Sequence, residues 1–249
     1  MNISACVVSN EEIRPYFIAH LLELCNEVVI NFNNTTLSND YKKSILTTWG
    51  KKVVILENKF TDWAHIRNAT IEASSSEWCI TVDNGELLTP LLIQEIKALP
   101  DTFLYDIVQF QRIHFVIDPP VLVDHFYHKR LFKRHLRYHG VLYEHLVNYK
   151  SIFTIDKPYC YLLHLNTRAE EIKKTLKRKE YLLKQINEYK KSGNETMVSY
   201  YKYFLWVLDE VFMKEFGPRS NAIDLEKIYK TYDLKTAQFQ KLINQVENA

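Results

Sequence analysis

Two acidic side chains lie close together in the stretch CITVDNGELLTP, which covers residues 79–90. Asp83 ends a β-rich run, and Glu86 follows the pair Asn84-Gly85. Two carboxylates on a turn at the end of a strand suit a hard divalent cation that keeps several waters and bridges to phosphate oxygens. The stretch is therefore a candidate metal and phosphate site, provided that the local structure brings both side chains together.

The Asn84-Gly85 pair allows two local structures. In the first, it forms the type I′ turn of a β-hairpin, and Leu87 begins the returning strand. In the second, Thr89 is the N-cap of a helix and Pro90 lies in its first turn. Apolar residues with helical spacing follow: Leu92, Ile96 and Leu99. These flanking signals favour the second structure. It places both acids at the carboxyl end of a parallel strand, where open α/β sheets bind ligands.

Short β-rich runs alternate with helical segments in the first part of the chain. The β-rich runs cover residues 3–9, 27–31, 52–56 and 78–82. Helical spacing is clearest between them, at residues 13–25 and 64–73. This alternation predicts an α/β fold with a mostly parallel sheet, in which Asp83 follows the fourth strand.

The pattern changes further along the chain. Residues 106–118 predict a strand, and after residue 167 three apolar stripes with helical spacing follow. The stripes consist of Ile172, Leu176, Leu183 and Ile186; of Tyr200, Phe204, Val207, Leu208 and Val211; and of Phe239, Leu242, Ile243 and Val246. We therefore predict an α/β domain over residues 1–166 and a helical C-terminal extension over residues 167–249.

Composition narrows the classes of partner and compartment. The chain has 249 residues, of which 47% are hydrophobic, so it can bury a full core. A formal net charge of +2 gives no general attraction for nucleic acid, and we predict that the protein binds none. Four widely spaced cysteines predict buried reduced thiols. The sequence shows no signal-peptide or membrane-span pattern, which indicates a cytoplasmic protein.

Several segments, in order along the chain, resemble the motifs of family 2 glycosyltransferases, which have the GT-A fold. The opening ISACVVSNEE is similar to "ISxCMIVKNEE", and WAHIRNA with SEWCITVDNGE resembles "ARNxA … GDWILxLDADE". RLFK followed by GVLYE resembles "RLFR … GxIHE", and a later histidine with its following helix resembles "H … KxxRNxxLL". These segments are residues 3–12, 63–69, 76–86, 130–133 and 140–144, then His164 and residues 174–183. The likeness is greatest to small lipopolysaccharide-core and capsule glucosyltransferases.

The resemblance implies an inverting transfer of a hexose from a UDP-sugar to a hydroxyl of a glycan or glycolipid. Asp83, Glu86 and His164 would hold a Mg²⁺ or Mn²⁺ ion beside the donor diphosphate. Glu144 matches the family's glutamate that serves as catalytic base. The alternatives are a hydrogen-bonded histidine at a strand end for His164 and an ordinary surface carboxylate for Glu144.

The resemblance places three more residues on the donor side. Arg130 matches a position near the diphosphate, and Asn31 stands where an aspartate near the nucleotide base is usual. Arg67 belongs to the "ARN" segment, although Arg67 and Asn68 are equally suited to hold their helix against the sheet. Asn31 is thus one departure from the family pattern.

Two further departures concern the proposed site. Gly85 stands where the second acid of the D-x-D motif is usual, and Tyr143 replaces a histidine. If the lost acid weakens metal binding, basic residues near Arg130 can carry more of the leaving-group charge. Alternatively, this basic segment is a solvated face. It contains His128, Lys129, Arg130, Lys133, Arg134, His135 and Arg137.

The predicted C-terminal helices offer two candidate surfaces. Residues 168–191 are rich in Lys and Arg and would either touch anionic lipid, at the inner face of a membrane, or form an ordinary exposed face. The aromatic stripe from Tyr200 to Phe212 is typical of a core or of a homodimer surface.

Two other functions fit parts of the sequence. A sugar nucleotidyltransferase has a related sheet, but typically a Gly-rich basic loop after the first strand, where this chain has SNEEIRP. A non-catalytic relative that binds glycan or scaffolds an assembly would account for Gly85. The joint presence of Asp83, Glu86, Glu144 and His164 favours the enzyme.

Overall fold

The computed structural model describes residues 1–33, 37–117, 120–140, 144–166 and 168–207. The chain divides into two compact units. The first comprises residues 1–115 and 121–165, and the second comprises residues 116–120 and the chain from residue 166 onward. The predicted domain boundary after residue 166 stays a prediction, because much of the helical extension lies outside the described residues.

In the described ranges, strands and helices alternate in the first part of the chain, up to the fourth helix; six strands and then two helices follow. The strands are β1 (Ile3–Ser9), β2 (Glu27–Phe32), β3 (Val53–Leu56), β4 (Trp78–Asp83), β5 (Glu86–Leu88), β6 (Ile107–Ile117), β7 (Pro120–Lys133), β8 (Arg137–His139), β9 (His145–Val147), β10 (Ile152–Ile155) and β11 (Tyr161–Asn166). The helices are α1 (Pro15–Leu22), α2 (Asn39–Trp49), α3 (Trp63–Ala73), α4 (Pro90–Lys97), α5 (Arg168–Lys191) and α6 (Glu195–Val207).

Among the described residues, the main sheet has nine strands in the order β3-β2-β1-β4-β7-β6-β11-β5, with β10 paired to β6. The strands β3, β2, β1 and β4 run parallel, whereas β4 pairs antiparallel with β7, and β5 with β11. A separate antiparallel pair is formed by β8 and β9. The predicted α/β fold with a mostly parallel sheet is confirmed. Because parallel strands align their carboxyl ends, Asn31 and Asp83 both lie beside Val8.

Strand β1 is buried along its whole length. A parallel strand inside such a sheet is covered on both faces, so its residues serve two cores. Ala5 and Val7 pack in the larger core with Phe17 and Trp78, while Cys6 lies in the second core. All four cysteines are free and buried, as predicted.

The segment after β4 decides between the hairpin and the helix. In the sheet β4 lies between β1 and β7, and β5 pairs with β11. Gly85 has a φ of 93°, a left-handed conformation that residues with a side chain disfavour. Thr89 caps α4 by accepting a hydrogen bond from the Leu92 amide, and Pro90 begins the helix. The strand-turn-helix prediction is confirmed, with the three-residue strand β5 inserted before the helix.

The predicted apolar stripe of α5 is wrong at two positions. Leu176 and Leu183 are exposed, whereas Thr175, Leu182 and Ile186 are buried. Charged residues occur in every turn of this helix, so its apolar side chains do not define one face by themselves. The buried face is displaced by one residue from the predicted stripe over most of the helix.

Helix α6 buries Val198, Tyr200 and Tyr201. The third predicted stripe, which begins at Phe239, lies outside the described residues. None of the helices that the structure describes is long and apolar enough to cross a membrane.

Replacing the cap residue of α4 tests this account of the turn. The Thr89 hydroxyl accepts hydrogen bonds from the amides of Leu92 and Tyr161 and donates one to the Tyr159 carbonyl. Thr89→Ala should therefore destabilise the protein by about 1–2 kcal/mol in urea unfolding. Thr48→Ala is the control, because Thr48 is exposed inside α2, and we expect a change below about 0.5 kcal/mol. Equal stability of the two variants would contradict the cap.

Candidate active site

Arg67 lies on the buried face of α3, near the end of β4. Asp62 caps this helix by accepting a hydrogen bond from the His65 amide, and only 7% of the Arg67 surface is exposed. The Nη2 atom of Arg67 lies 2.9 Å from Asp83 Oδ1, and its Nε atom donates to Glu144 Oε1. One guanidinium group thus holds two carboxylates that are far apart in the sequence.

Glu86 is fully buried and accepts hydrogen bonds at both carboxylate oxygens. Its Oε1 atom lies 2.7 Å from Arg112 Nε and 3.1 Å from Arg130 Nη2. Its Oε2 atom accepts from the Asp83 amide at 2.8 Å. His164 lies opposite Glu86 in the β5–β11 pair, with Nδ1 3.6 Å from Glu86 Oε1.

Arg130 joins the two carboxylates that follow one another on the turn after β4. Its Nη2 atom lies 3.3 Å from Asp83 Oδ2 and 3.1 Å from Glu86 Oε1. Six side chains therefore alternate in charge along one connected series, which we call the charge chain. Its members, in order, are Arg112, Glu86, Arg130, Asp83, Arg67 and Glu144. Buried charges are tolerated when they are paired and hydrogen-bonded, so each member depends on its neighbours.

The charge chain changes the acid–base properties of its members. Burial by itself would raise the pKa of Asp83, but the guanidinium groups of Arg67 and Arg130 hold that pKa well below its usual range. Burial opposes the charge on Arg67, yet Asp83 and Glu144 raise its pKa well above the ordinary value. Burial likewise opposes the charge on Arg130, and Glu86 and Asp83 raise its pKa. Asp83 is therefore a carboxylate, and both arginines are cations, throughout the physiological pH range.

Glu144 is positioned by the two-stranded sheet of β8 and β9. Asn68 of α3 holds this sheet by two hydrogen bonds with the Tyr138 backbone, of 2.9 and 2.8 Å. The Tyr138 hydroxyl lies 2.8 Å from Thr81 Oγ1 in β4. The neighbouring residues Arg67 and Asn68 therefore have different roles, since Arg67 enters the charge chain and Asn68 fixes the sheet beside Glu144. Tyr143 lies outside the described residues.

Two nitrogens of the charge chain, Arg67 Nη1 and Arg130 Nε, are buried donors without an acceptor in the part of the protein that the structure describes. A buried donor without an acceptor costs about 1–3 kcal/mol. A ligand with several anionic oxygens supplies acceptors in the geometry that a guanidinium group prefers. The site therefore suits a phosphate-bearing ligand at the carboxyl end of β4.

The donor set does not fit the predicted Mg²⁺ or Mn²⁺ ion. Both oxygens of Glu86 are engaged, and Arg130 lies between Glu86 and Asp83, where an ion shared by the two acids would bind. Within the described ranges, no group of three His, Cys, Asp or Glu side chains is arranged to hold a metal ion. The assignment of Asp83, Glu86 and His164 as metal ligands stays a prediction, and it would require these arginine contacts to break.

Asn31 occupies the predicted strand end, but its carboxamide is used inside the protein. It is fully buried; its Nδ2 atom donates to the Ile66 carbonyl at 3.2 Å, and its Oδ1 atom accepts from the Asn58 amide at 3.3 Å. These bonds tie β2 to α3 and to the segment after β3. The predicted contact of Asn31 with a nucleotide base stays a prediction.

The basic segment near Arg130 does not act as one surface. Strand β7 is antiparallel to β4, so Lys133 lies beside Trp78 at the start of β4, while Arg130 reaches the site after its end. Lys133 lies 3.5 Å from Asp106, and Arg134 donates to a backbone carbonyl of the loop after α3. Of these three cations, Arg130 alone belongs to the charge chain.

Arg112 is the member of the charge chain that the motifs do not reveal. It lies on the same face of β6 as Phe110 and His114, and the His114 ring packs edge-on against His164 at a centroid distance of 4.6 Å. An arginine on the mostly apolar face formed by alternate residues from 108 to 116 is itself a signal, because a buried guanidinium group requires an acidic partner. The sequence pattern of β6 alone does not say which acid that partner is.

Comparison with known proteins finds distant structural similarity. No protein-family profile and no curated protein sequence matches the chain. The structure of S. aureus TarS residues 1–349 is similar at 11% identity and a TM-score of 0.44, and its complex with UDP-GlcNAc at 10% identity and a TM-score of 0.47. Each comparison covers 88% of this chain and 76% of that one. Identity at this level transfers no residue role to the present chain.

The replacement Asp83→Asn should lower stability by an amount that depends on pH. The folded protein holds the pKa of Asp83 below the value of about 3.9 expected in an unfolded chain. The ionised carboxylate therefore contributes its full stabilisation above that value, and the contribution is lost as the pH falls through the lower folded-state pKa. We expect the difference in unfolding free energy between wild type and variant to be constant from about pH 7 to 5 and to shrink below about pH 4.

Urea unfolding at constant ionic strength across this pH range measures the difference. Asp40→Asn is the control, because Asp40 lies in the exposed first turn of α2. We expect this control to change stability at neutral pH by less than about 1 kcal/mol. A wild-type advantage over Asp83→Asn that persists unchanged at the lowest pH would contradict the depressed pKa.

Proposed function

We propose that the protein is an inverting glycosyltransferase that moves a hexose from a UDP-sugar to a hydroxyl group of a glycan or glycolipid. The charge chain is the observation that carries this proposal. It gathers the cations Arg67 and Arg130 and the carboxylate of Glu144 at the carboxyl end of β4. Sugar transfer requires cations that stabilise the departing diphosphate and a base that takes the proton of the acceptor hydroxyl.

Arg67 and Arg130 would stabilise the leaving group. Negative charge grows on the diphosphate as the bond between the sugar C1 atom and the phosphate oxygen breaks. Arg67 Nη1 and Arg130 Nε are the donors that have no acceptor among the described residues. Both guanidinium groups are held in place by carboxylates before a ligand arrives, so little reorganisation is needed during the reaction.

Glu144 would act as the general base. Its side chain is 12% exposed, and the contact with Arg67 fixes its direction. It would take the proton of the acceptor hydroxyl while that oxygen attacks C1, and the electron pair of the breaking C1–O bond would leave with UDP. Attack on the face opposite the leaving group inverts the anomeric centre.

The identities of the donor and acceptor rest on the sequence motifs. UDP, the hexose and the glycan or glycolipid acceptor are proposed from the resemblance to family 2 glycosyltransferases, as is a role for Asn31 near the base. Contact of the Lys- and Arg-rich helix α5 with anionic lipid is a further proposal, as is a homodimer through the C-terminal helices.

A non-catalytic binding protein is the second candidate function. All three carboxylates of the charge chain are engaged by arginines, an arrangement that holds a ligand without offering it a free base. Such a protein would bind a UDP-sugar and leave the glycosidic bond intact.

Thermal unfolding with UDP and with a set of UDP-sugars, followed by donor hydrolysis assays, separates the two functions. We expect UDP to raise the Tm, because a ligand that binds only the folded state stabilises it. We also expect slow hydrolysis of one UDP-sugar. A Tm shift without turnover of any donor would favour the binding protein, and no shift with any of these nucleotides would contradict the proposal.

Glu144→Gln should keep UDP affinity and lose sugar transfer. Removal of general-base assistance typically slows a reaction by about 10²–10⁴-fold, which corresponds to about 3–5 kcal/mol of barrier. Glu72→Gln is the matched control, because Glu72 is exposed on α3, and transfer should be unchanged. UDP calorimetry and transfer rates are compared in both variants. Transfer by Glu144→Gln within a few-fold of wild type would remove Glu144 from the mechanism.

A further inference from the structure

We propose that Arg130 takes the place of the divalent cation, so that the protein binds the diphosphate of its donor without a metal ion. The inference rests on the proposed function, since it concerns the same donor site. It explains why the turn after β4 has an acid at Asp83 and at Glu86, yet the two acids hold a guanidinium group between them.

Arg130 lies where a cation shared by the two acids would lie. A single nitrogen, Nη2, lies 3.3 Å from Asp83 Oδ2 and 3.1 Å from Glu86 Oε1. A Mg²⁺ ion requires oxygens at about 2.0–2.1 Å in octahedral geometry, so an ion that bridged these two oxygens would have to displace that nitrogen. The remaining Glu86 oxygen accepts from the Asp83 amide and is directed into the protein.

The charges lead to the same conclusion. Two carboxylates and one divalent cation have a net charge of zero. Asp83 and Glu86 already reach zero with Arg112 and Arg130. An added divalent cation would meet the repulsion of both guanidinium groups at close range, whereas in a dedicated metal site only anionic and neutral ligands surround the ion.

Arg130 also has a donor to offer a ligand. Its Nε atom is buried and has no acceptor in the described part of the chain, and 9% of the residue surface is exposed. Its Nη2 group is fixed by the two acids, so the orientation of the guanidinium plane is set before a ligand binds. A planar cation held in this way suits the oxygens of a diphosphate.

The glycine in the turn is consistent with a site in which Arg130 takes the place of a metal ion. Gly85 has a φ of 93°, which residues with a side chain rarely adopt. The turn that brings Glu86 under Arg130 thus requires glycine where an acidic metal ligand would otherwise stand. This position therefore supplies no third carboxylate to a metal ion.

Calorimetry of UDP binding to the wild-type protein, in excess EDTA and in excess Mn²⁺, tests the inference directly. We expect the two Kd values to agree within about three-fold, because no metal site has to be filled. Mn²⁺ that tightens UDP binding ten-fold or more would overturn the inference and leave the proposed function standing. No UDP binding in either condition would overturn the proposed function and this inference together.

Variants of Arg130 provide the second test, in EDTA. Arg130→Gln should weaken UDP binding at least ten-fold, and Arg130→Lys should lose less, because it keeps the charge without the bidentate geometry. Arg134→Gln, the same change at an exposed position near the other end of β4, should bind UDP like wild type. Circular dichroism shows whether each variant is folded. If Arg130→Gln does not fold, the comparison of UDP binding to the wild-type protein in EDTA and in Mn²⁺ still tests the inference. UDP affinity of a folded Arg130→Gln within three-fold of wild type would overturn the inference.

Discussion

The contact of Arg67 with Asp83 and Glu144 is the constraint around which the rest of the site is arranged. A guanidinium group removed from water is costly unless anions surround it. Asp83 is supplied by the end of β4, and Glu144 by a separate pair of strands, so three elements must meet at one point. The cap at Asp62, which fixes where α3 begins, is therefore also a determinant of where the two carboxylates lie.

Arginines on the later strands balance a second buried charge in the same way. Glu86 is fully buried on the short strand β5, and its charge is balanced by arginines from β6 and β7. These two later strands thus bring the cations that pair with Glu86 to the end of β4. The ion pairs of the charge chain thus connect the parallel strands with the later strands of the sheet. Its three arginines and three carboxylates have a net charge of zero before any ligand binds.

Local patterns were sufficient for much of the fold. The strands β1 to β4 and the cap at Thr89 follow from apolar runs and from hydrogen-bonding chemistry within a few residues. The motifs also pointed to Asp83, Glu144 and Arg130 as neighbours of one site. The sequence does not predict which side chains form ion pairs with these three residues, because such contacts depend on the register between strands that are far apart in the sequence. Glu86 was predicted as a metal ligand on its type and position, but the arginines that surround it come from β6 and β7.

The adjacency of Arg67 and Asn68 on α3 has a mechanical consequence. The guanidinium group of Arg67 contacts Glu144, and the side chain of Asn68 bonds the backbone of β8, the strand before Glu144. Adjacent residues of one helix therefore fix both the proposed leaving-group cation and the proposed base. A displacement of α3 would carry Arg67 and the strand that precedes Glu144 along together, so the distance between Arg67 and Glu144 would change little.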